Sequence, residues 1–290
     1  MLQIVGVGQG YLADRYTYIP YFGLFFLMAY GFDYFLASKR GQYRNLTYLI
    51  AAVMLVGYAI FTWQQNKVWK NSDTLWSKVI EHYPRCVTAI QNRGEHFEKE
   101  GEFQKSAEDY QMALTLAPDN PSLYKNYGKL LFHLGNNPLA LTTLNKGINL
   151  GTEDPELYLN RGAVYATLKQ FPQAFADFDK VIELDPNEAE GYLNRSNVYF
   201  EMQQAEPCLK DITTYLTFKP NYADGWFRKG LMNSLLKKDQ EAIQNLTKAI
   251  ELDRNNGNYF YQRARLYNLI GDIARSNEDL QRAKQLGVGN

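Results

Sequence analysis

The chain has 290 residues, room for two modest domains or one long repeat array. Lys plus Arg and Asp plus Glu number 31 each, so no net field draws it to nucleic acid or to anionic lipid. Two cysteines, Cys86 and Cys208, exclude a disulfide framework, and three histidines without metal-ligand spacing argue against a metal site, so no cofactor is expected.

Residues 4–20 read IVGVGQGYLADRYTYIP. The glycines at 6, 8 and 10 suggest a phosphate loop. A dinucleotide fingerprint needs glycine where Tyr11 stands, however, and no Gly-Lys-Ser/Thr ending follows. The stretch reads better as a flexible approach to a bilayer, with Asp14 and Arg15 at its surface and Pro20 opening a helix. The first 15 residues lack the charged and apolar regions of a secretory signal.

Two apolar runs come next, YFGLFFLMAYGFDYFLA over residues 21–37 and LTYLIAAVMLVGYAIFTW over 46–63. At 1.5 Å per residue each gives roughly 27 Å of helix, close to the hydrocarbon thickness of a membrane. They predict a two-helix transmembrane hairpin, with spans at about 20–38 and 46–64, inside a membrane segment covering residues 1–69. Lys39, Arg40 and Arg44 in the short connection favour its cytoplasmic placement, so the chain is expected to be an integral membrane protein whose later part is extracytoplasmic, in a periplasm or lumen.

From about residue 70 the pattern becomes amphipathic and periodic. Pro84, Pro118, Pro186 and Pro220 stand 34 residues apart or twice that. Segments beginning at 87, 121, 155, 189, 223 and 257 then align without gaps. Their eighth residue is small (Gly94, Gly128, Gly162, Ser196, Gly230, Ala264), as is their twentieth (Ser106, Ala140, Ala174, Cys208, Ala242, Ser276). Their fourth is bulky, as in Tyr124, Tyr158, Tyr192 and Trp226. This pattern resembles the tetratricopeptide repeat. The expected fold is all-α: the membrane hairpin, a capping helix or half-repeat over 70–86, then six repeats over 87–120, 121–154, 155–188, 189–222, 223–256 and 257–290 forming a right-handed α-solenoid.

Position seven of the repeats is basic where position 23 is acidic: Arg93 with Asp109, Arg161 with Asp177, Arg195 with Asp211 and Arg263 with Asp279. The two change together, to Tyr127 with Thr143 and to Lys229 with Asn245, which marks a structural pair. Position six carries Asn92, Asn126, Asn160 and Asn194. In tetratricopeptide repeats this position lines the concave face, and the register resembles the asparagine ladder of the O-GlcNAc transferase repeat domain. An amide offers a donor and an acceptor, so a ladder can hold a peptide backbone. The alternative is that Asn-Arg-Gly is a common spelling of this helix, and both readings stand. A chaperone-type carboxylate clamp does not fit, since Gln91 and Glu95 occupy the first repeat and Lys125 and Lys129 stand alone in the second. Phe200, Phe227 and Tyr261, with Leu193 and Leu231, suggest an apolar half-groove for a protein or peptide ligand. Asn45, Asn194 and Asn245 match the glycosylation acceptor pattern.

The stretch ADRYTYIPYFGLFF, a second span, QQNKVWKNSDTLWSKVIEHYP and then repeats is similar to the C-terminal end of GT-C type transmembrane and tetratricopeptide-repeat O-mannosyltransferases and their bacterial relatives. That resemblance implies a membrane glycosyltransferase with many spans and an acidic catalytic loop. Two spans leave no room for such a loop, and no residue here is assigned a catalytic role. The expected function is a membrane-anchored interaction module that holds a peptide segment in its groove. The alternative is the substrate-presenting tail of a protein glycosyltransferase whose catalytic region is absent from this chain.

Overall fold

The computed structural model describes residues 5–7, 10–12, 30, 48–49, 52–57, 59–60, 63 and 72–289. Most of the two predicted spans therefore lies outside the described residues. Among those described, no helix is long and apolar enough to cross a membrane. One feature departs from the all-α expectation. β1 (Val5–Val7) pairs antiparallel with β2 (Gly10–Leu12), Val5 opposite Leu12 and Val7 opposite Gly10. β-branched residues near a two-residue connection suit a hairpin better than a flexible lead-in. A hairpin is equally unlike the strand–loop–helix of a nucleotide site.

The chain divides into one unit over Met1–Thr74 and a second over Leu75–Asn290. Helix α1 (Ser72–His82) precedes six antiparallel helix pairs. They are α2 (Val87–Lys99) with α3 (Phe103–Leu116), α4 (Pro121–His133) with α5 (Asn137–Asn149), and α6 (Pro155–Thr167) with α7 (Phe171–Leu184). Then come α8 (Ala189–Glu201) with α9 (Ala205–Phe218), α10 (Ala223–Leu235) with α11 (Asp239–Leu252), and α12 (Gly257–Leu269) with α13 (Ile273–Gln285). We call the first helix of each pair A and the second B.

Local chemistry sets the boundaries. Asn120, Asp154 and Asn256 accept hydrogen bonds from the backbone N–H two residues on, capping α4, α6 and α12, and proline opens the first turn of α4 and α6. Every A helix ends with paired backbone bonds around a left-handed residue, as in Gln170 N–H to Tyr165 O (2.9 Å) and Lys169 N–H to Ala166 O (2.9 Å). The left-handed residue is Gly101, Gly135 or Gly271 in three helices, but Lys169, Gln203 or Lys237 in the others. The turn between repeats is tied as well. Tyr124 and Tyr192 donate their hydroxyls, and Trp226 its indole N–H, to the carbonyls of Pro118, Pro186 and Pro220. This is why the fourth position is an aromatic with a donor in the repeats that follow Pro118, Pro186 and Pro220.

Packing explains the small residues. A Cβ at Gly128 would stand 2.6 Å from Leu144, and one at Gly162 2.7 Å from Phe178. Tyr110, Leu144, Phe178, Ile212 and Leu246, all from position 24, are fully buried in that crossing. Leu280, the same position in the last pair, is half exposed because no described helix stacks beyond it. Cys86 and Cys208 are free and buried, and burial pushes the Cys208 thiol up to about 11, the setting of a small apolar residue.

The position-seven pairs are stronger than surface pairs. Arg161 Nε and Nη2 donate to the two oxygens of Asp177 at 2.9 and 2.6 Å, and its Nη1 reaches Asn145 of the preceding B helix at 2.7 Å. Arg93, Arg195 and Arg263 repeat this bidentate grip on acids that are almost fully buried. Their Nη1 groups reach Ser77 of α1, Asp179 of α7 and Thr247 of α11, so each arginine ties its own pair together and staples it to the helix before. Where Tyr127 replaces arginine, its hydroxyl accepts from Gln111 Nε2 at 2.6 Å and keeps the link to the preceding helix.

Candidate functional site

Most consecutive A helices touch one another, whereas contact between consecutive B helices is sparser. Closer approach on one side curves the stack toward it, which makes the A helices the inner wall. Two side-chain bonds show the register along that wall. Asn126 Nδ2 donates to Glu95 Oε1 at 3.0 Å, and Arg228 Nη1 donates to Asn197 Oδ1, each across 31 residues. Position six of one A helix thus faces position nine of the helix before.

Asn92, Asn126, Asn160 and Asn194 are all half-buried at this register. Asn126 spends a donor on Glu95, which also accepts from Gln91 at 2.9 Å. Asn92, Asn160 and Asn194 make no side-chain hydrogen bond among the described residues, which leaves their amides open to a ligand. The two lysines are less open. Lys125 is bound to Asp154 at 2.9 Å and Glu156 at 2.8 Å. Burial opposes its charge, yet these two acids hold it above the ordinary lysine value. Lys129 is exposed and 3.7 Å from Glu98.

The three aromatics separate. Phe227 packs against the cores of the last two repeats, its ring 4.8 Å from that of Tyr259, and Tyr261 packs beside Gly289. Phe200 packs with Leu231 against the buried Cys208 and Met232, and both also line a cleft of about 920 Å³ formed by the C-terminal ends of α8, α10 and α12, with Leu235, Leu266, Leu269 and Arg265. Phe200 and Leu231 are among the residues expected from sequence, whereas Leu235, Leu269 and Arg265 are not. Position 13 of the A helices carries the signal, becoming leucine only in the last two repeats, while position nine gives Leu231 and then Arg265. Of the glycosylation acceptors, Asn245 is buried with its amide on Glu241 O at 2.7 Å, which closes it to modification, and Asn194 sits half-buried in α8. Asn45 lies outside the described residues.

Family models described as tetratricopeptide repeat match residues 92–155, 155–188 and 223–256. Those matches fall on the helix pairs with the small-residue crossings described above. The chain is a tetratricopeptide-repeat protein. Among curated relatives, this tetratricopeptide-repeat chain is 25% identical over 123 residues to protein O-mannosyl-transferase Tmtc3 of Drosophila melanogaster and 21% identical over 129 residues to TMTC3 of Homo sapiens. The matches cover 42% and 44% of this chain but only 13% and 14% of those relatives. Among solved structures, MamA residues 41 to the end from Desulfovibrio magneticus RS-1 superposes with a TM-score of 0.55 at 22% identity, covering 58% of this chain and 94% of that one. YrrB, described as a TPR protein with an unusual peptide-binding site, gives 0.52 at 20% identity, covering 62% and 92%. The Cut9–Hcn1 complex gives 0.60 at 14% identity over 78% of this chain and 44% of the other. These likenesses establish the fold.

Proposed function

We propose that this chain is a protein-interaction module that holds a peptide segment along its A-helix wall. The observation that carries the reading is the register of the asparagines: four at one position, three with unspent amides. An amide can donate to a backbone carbonyl and accept from a backbone N–H, so it grips an extended peptide with little regard to its side chains. Replacing Asn126 and Asn160 by Ala is expected to weaken capture of a bound peptide while circular dichroism shows unchanged helix content. Unchanged affinity in that variant removes the ladder.

The apolar runs at 21–37 and 46–63 support a membrane anchor for the module, and the basic connection supports an extracytoplasmic placement. Resistance to carbonate extraction checks the anchor, and protection from protease in sealed vesicles checks the side. The curated relatives favour a second reading, in which this chain corresponds to the substrate-presenting tail of an O-mannosyltransferase-like enzyme. Reading the gene upstream of Met1 tests it: further spans with an acidic external loop are expected, and a stop codon directly upstream counts against it.

A further inference from the structure

The cleft at the ends of α8, α10 and α12 has a chemistry of its own. Leu235 and Leu269 are 49% and 69% exposed, and Phe200 and Leu231 are half-buried beside them. At the positions of Leu231, Leu235 and Leu269 the first two repeats carry Glu95, Lys129, Lys99 and His133, although Phe132 matches Phe200. Exposed leucine at position 13 is therefore confined to one end of the wall. A volume of about 920 Å³ falls in the range of ligand-holding pockets.

The rim is cationic. Glu201 is engaged by Lys169 at 3.2 Å, and Arg228 is paired with Asp224 at 2.8 Å while lying over the Phe200 ring at 5.6 Å. That leaves Lys237 and Arg265. Neither has a carboxylate within ion-pair distance among the described residues, and Arg265 reaches only the Gln262 amide, at 3.2 Å. Lys237 also sits at a left-handed position (φ 58°) where three other A helices use glycine. Gln203, another lining residue, is held likewise at φ 56°. Retaining side chains at strained positions around one cleft, and not elsewhere on this wall except at the adjoining Lys169, fits a use for those side chains.

We infer that this cleft binds a segment of another protein that places a leucine- or phenylalanine-sized side chain between Phe200, Leu231 and Leu269, with carboxylates beside it meeting Lys237 and Arg265. The inference rests on the peptide-binding reading of the wall and specifies what one end of it selects. Apolar contact supplies affinity, and the two unpaired cations discriminate against neutral or basic neighbours.

The test is fluorescence anisotropy of the full chain with two labelled 12-residue probes of about equal hydrophobicity. One has leucine at every third position with glutamate between, and the other has glutamine in place of each glutamate. The acidic probe is expected to bind at least about tenfold more tightly, an advantage that shrinks with added salt. Lys237→Gly together with Arg265→Gln is expected to abolish that advantage. Glycine suits the left-handed backbone, so this variant keeps the fold. Equal binding of both probes, or an advantage that survives the double variant, overturns the cleft assignment. If in that case Asn126→Ala with Asn160→Ala still lowers peptide affinity, the wall reading survives while the cleft reading does not. If neither probe nor an unbiased peptide array binds, both fall. Binding of phosphatidylserine vesicles that depends on Lys237 and Arg265, with no peptide preference, assigns the patch to lipid and overturns the inference.

Discussion

Asp177 shows how much one buried acid can hold. Burial pushes its carboxyl above the ordinary aspartate value, and Arg161 offsets that only in part. Removing the acid leaves a half-buried guanidinium without its partner. Asp177→Ala is therefore expected to cost about 3 kcal/mol in chemical denaturation, as broken buried pairs do, well above the surface-pair range. Lys229 is the opposite case. It fills position seven without an acid, and burial lowers its affinity for a proton, although it lies 5.3 Å above the Trp226 ring. A depressed lysine means that the unfolded chain binds the proton more strongly, so folding stability rises as pH climbs toward the ordinary lysine value. Lys229→Met is accordingly expected to stabilise at neutral pH by an amount that shrinks toward about pH 10. Restoring the pair with Lys229→Arg and Asn245→Asp is expected to show a favourable coupling of at least about 1 kcal/mol in a double-mutant cycle. Additive single effects count against the staple.

At the scale of the element, the helix crossing and the helix end make separate demands. The crossing demands closeness. A methyl at Gly162 meets Phe178 at 2.7 Å and Asp177 Cβ at 3.1 Å, so Gly162→Ala is expected to destabilise by about 1–3 kcal/mol despite alanine's better helix propensity. A melting curve unchanged by that substitution removes the close-packing account. The helix end demands a left-handed residue. Lys169 has φ 58° at a position filled by Gly101, Gly135 and Gly271 elsewhere, so Lys169→Gly is expected to stabilise by about 1 kcal/mol. These demands explain why the period was easy to read. Glycine and small residues recur because backbone and side chain have no slack there. The short hairpin of β1 and β2 was missed because three residues per strand give too few alternations to separate a strand from a lead-in.

At the scale of the whole molecule, each pair buries its apolar face only against its neighbours, so stability propagates along the stack. The arginine staples reach one pair back and make neighbours cooperate. The asparagine register could be read in the sequence because it follows from the same 34-residue period as the core. The cleft could not. Leu235, Leu269 and Arg265 lie in different repeats and look like scattered surface residues until α8, α10 and α12 bring their ends together. Phe227 and Phe200 look alike in sequence and both pack partly against the core, but only Phe200 also lines the cleft. By itself the sequence determined the repeat, its phase and the pairing of Arg with Asp, because these depend on contacts at fixed spacing within the repeat or between adjacent copies. The tertiary structure alone decided which amides stay unspent, which cations lack an acid and where the apolar surface gathers, because those properties depend on neighbours that a linear chain does not specify.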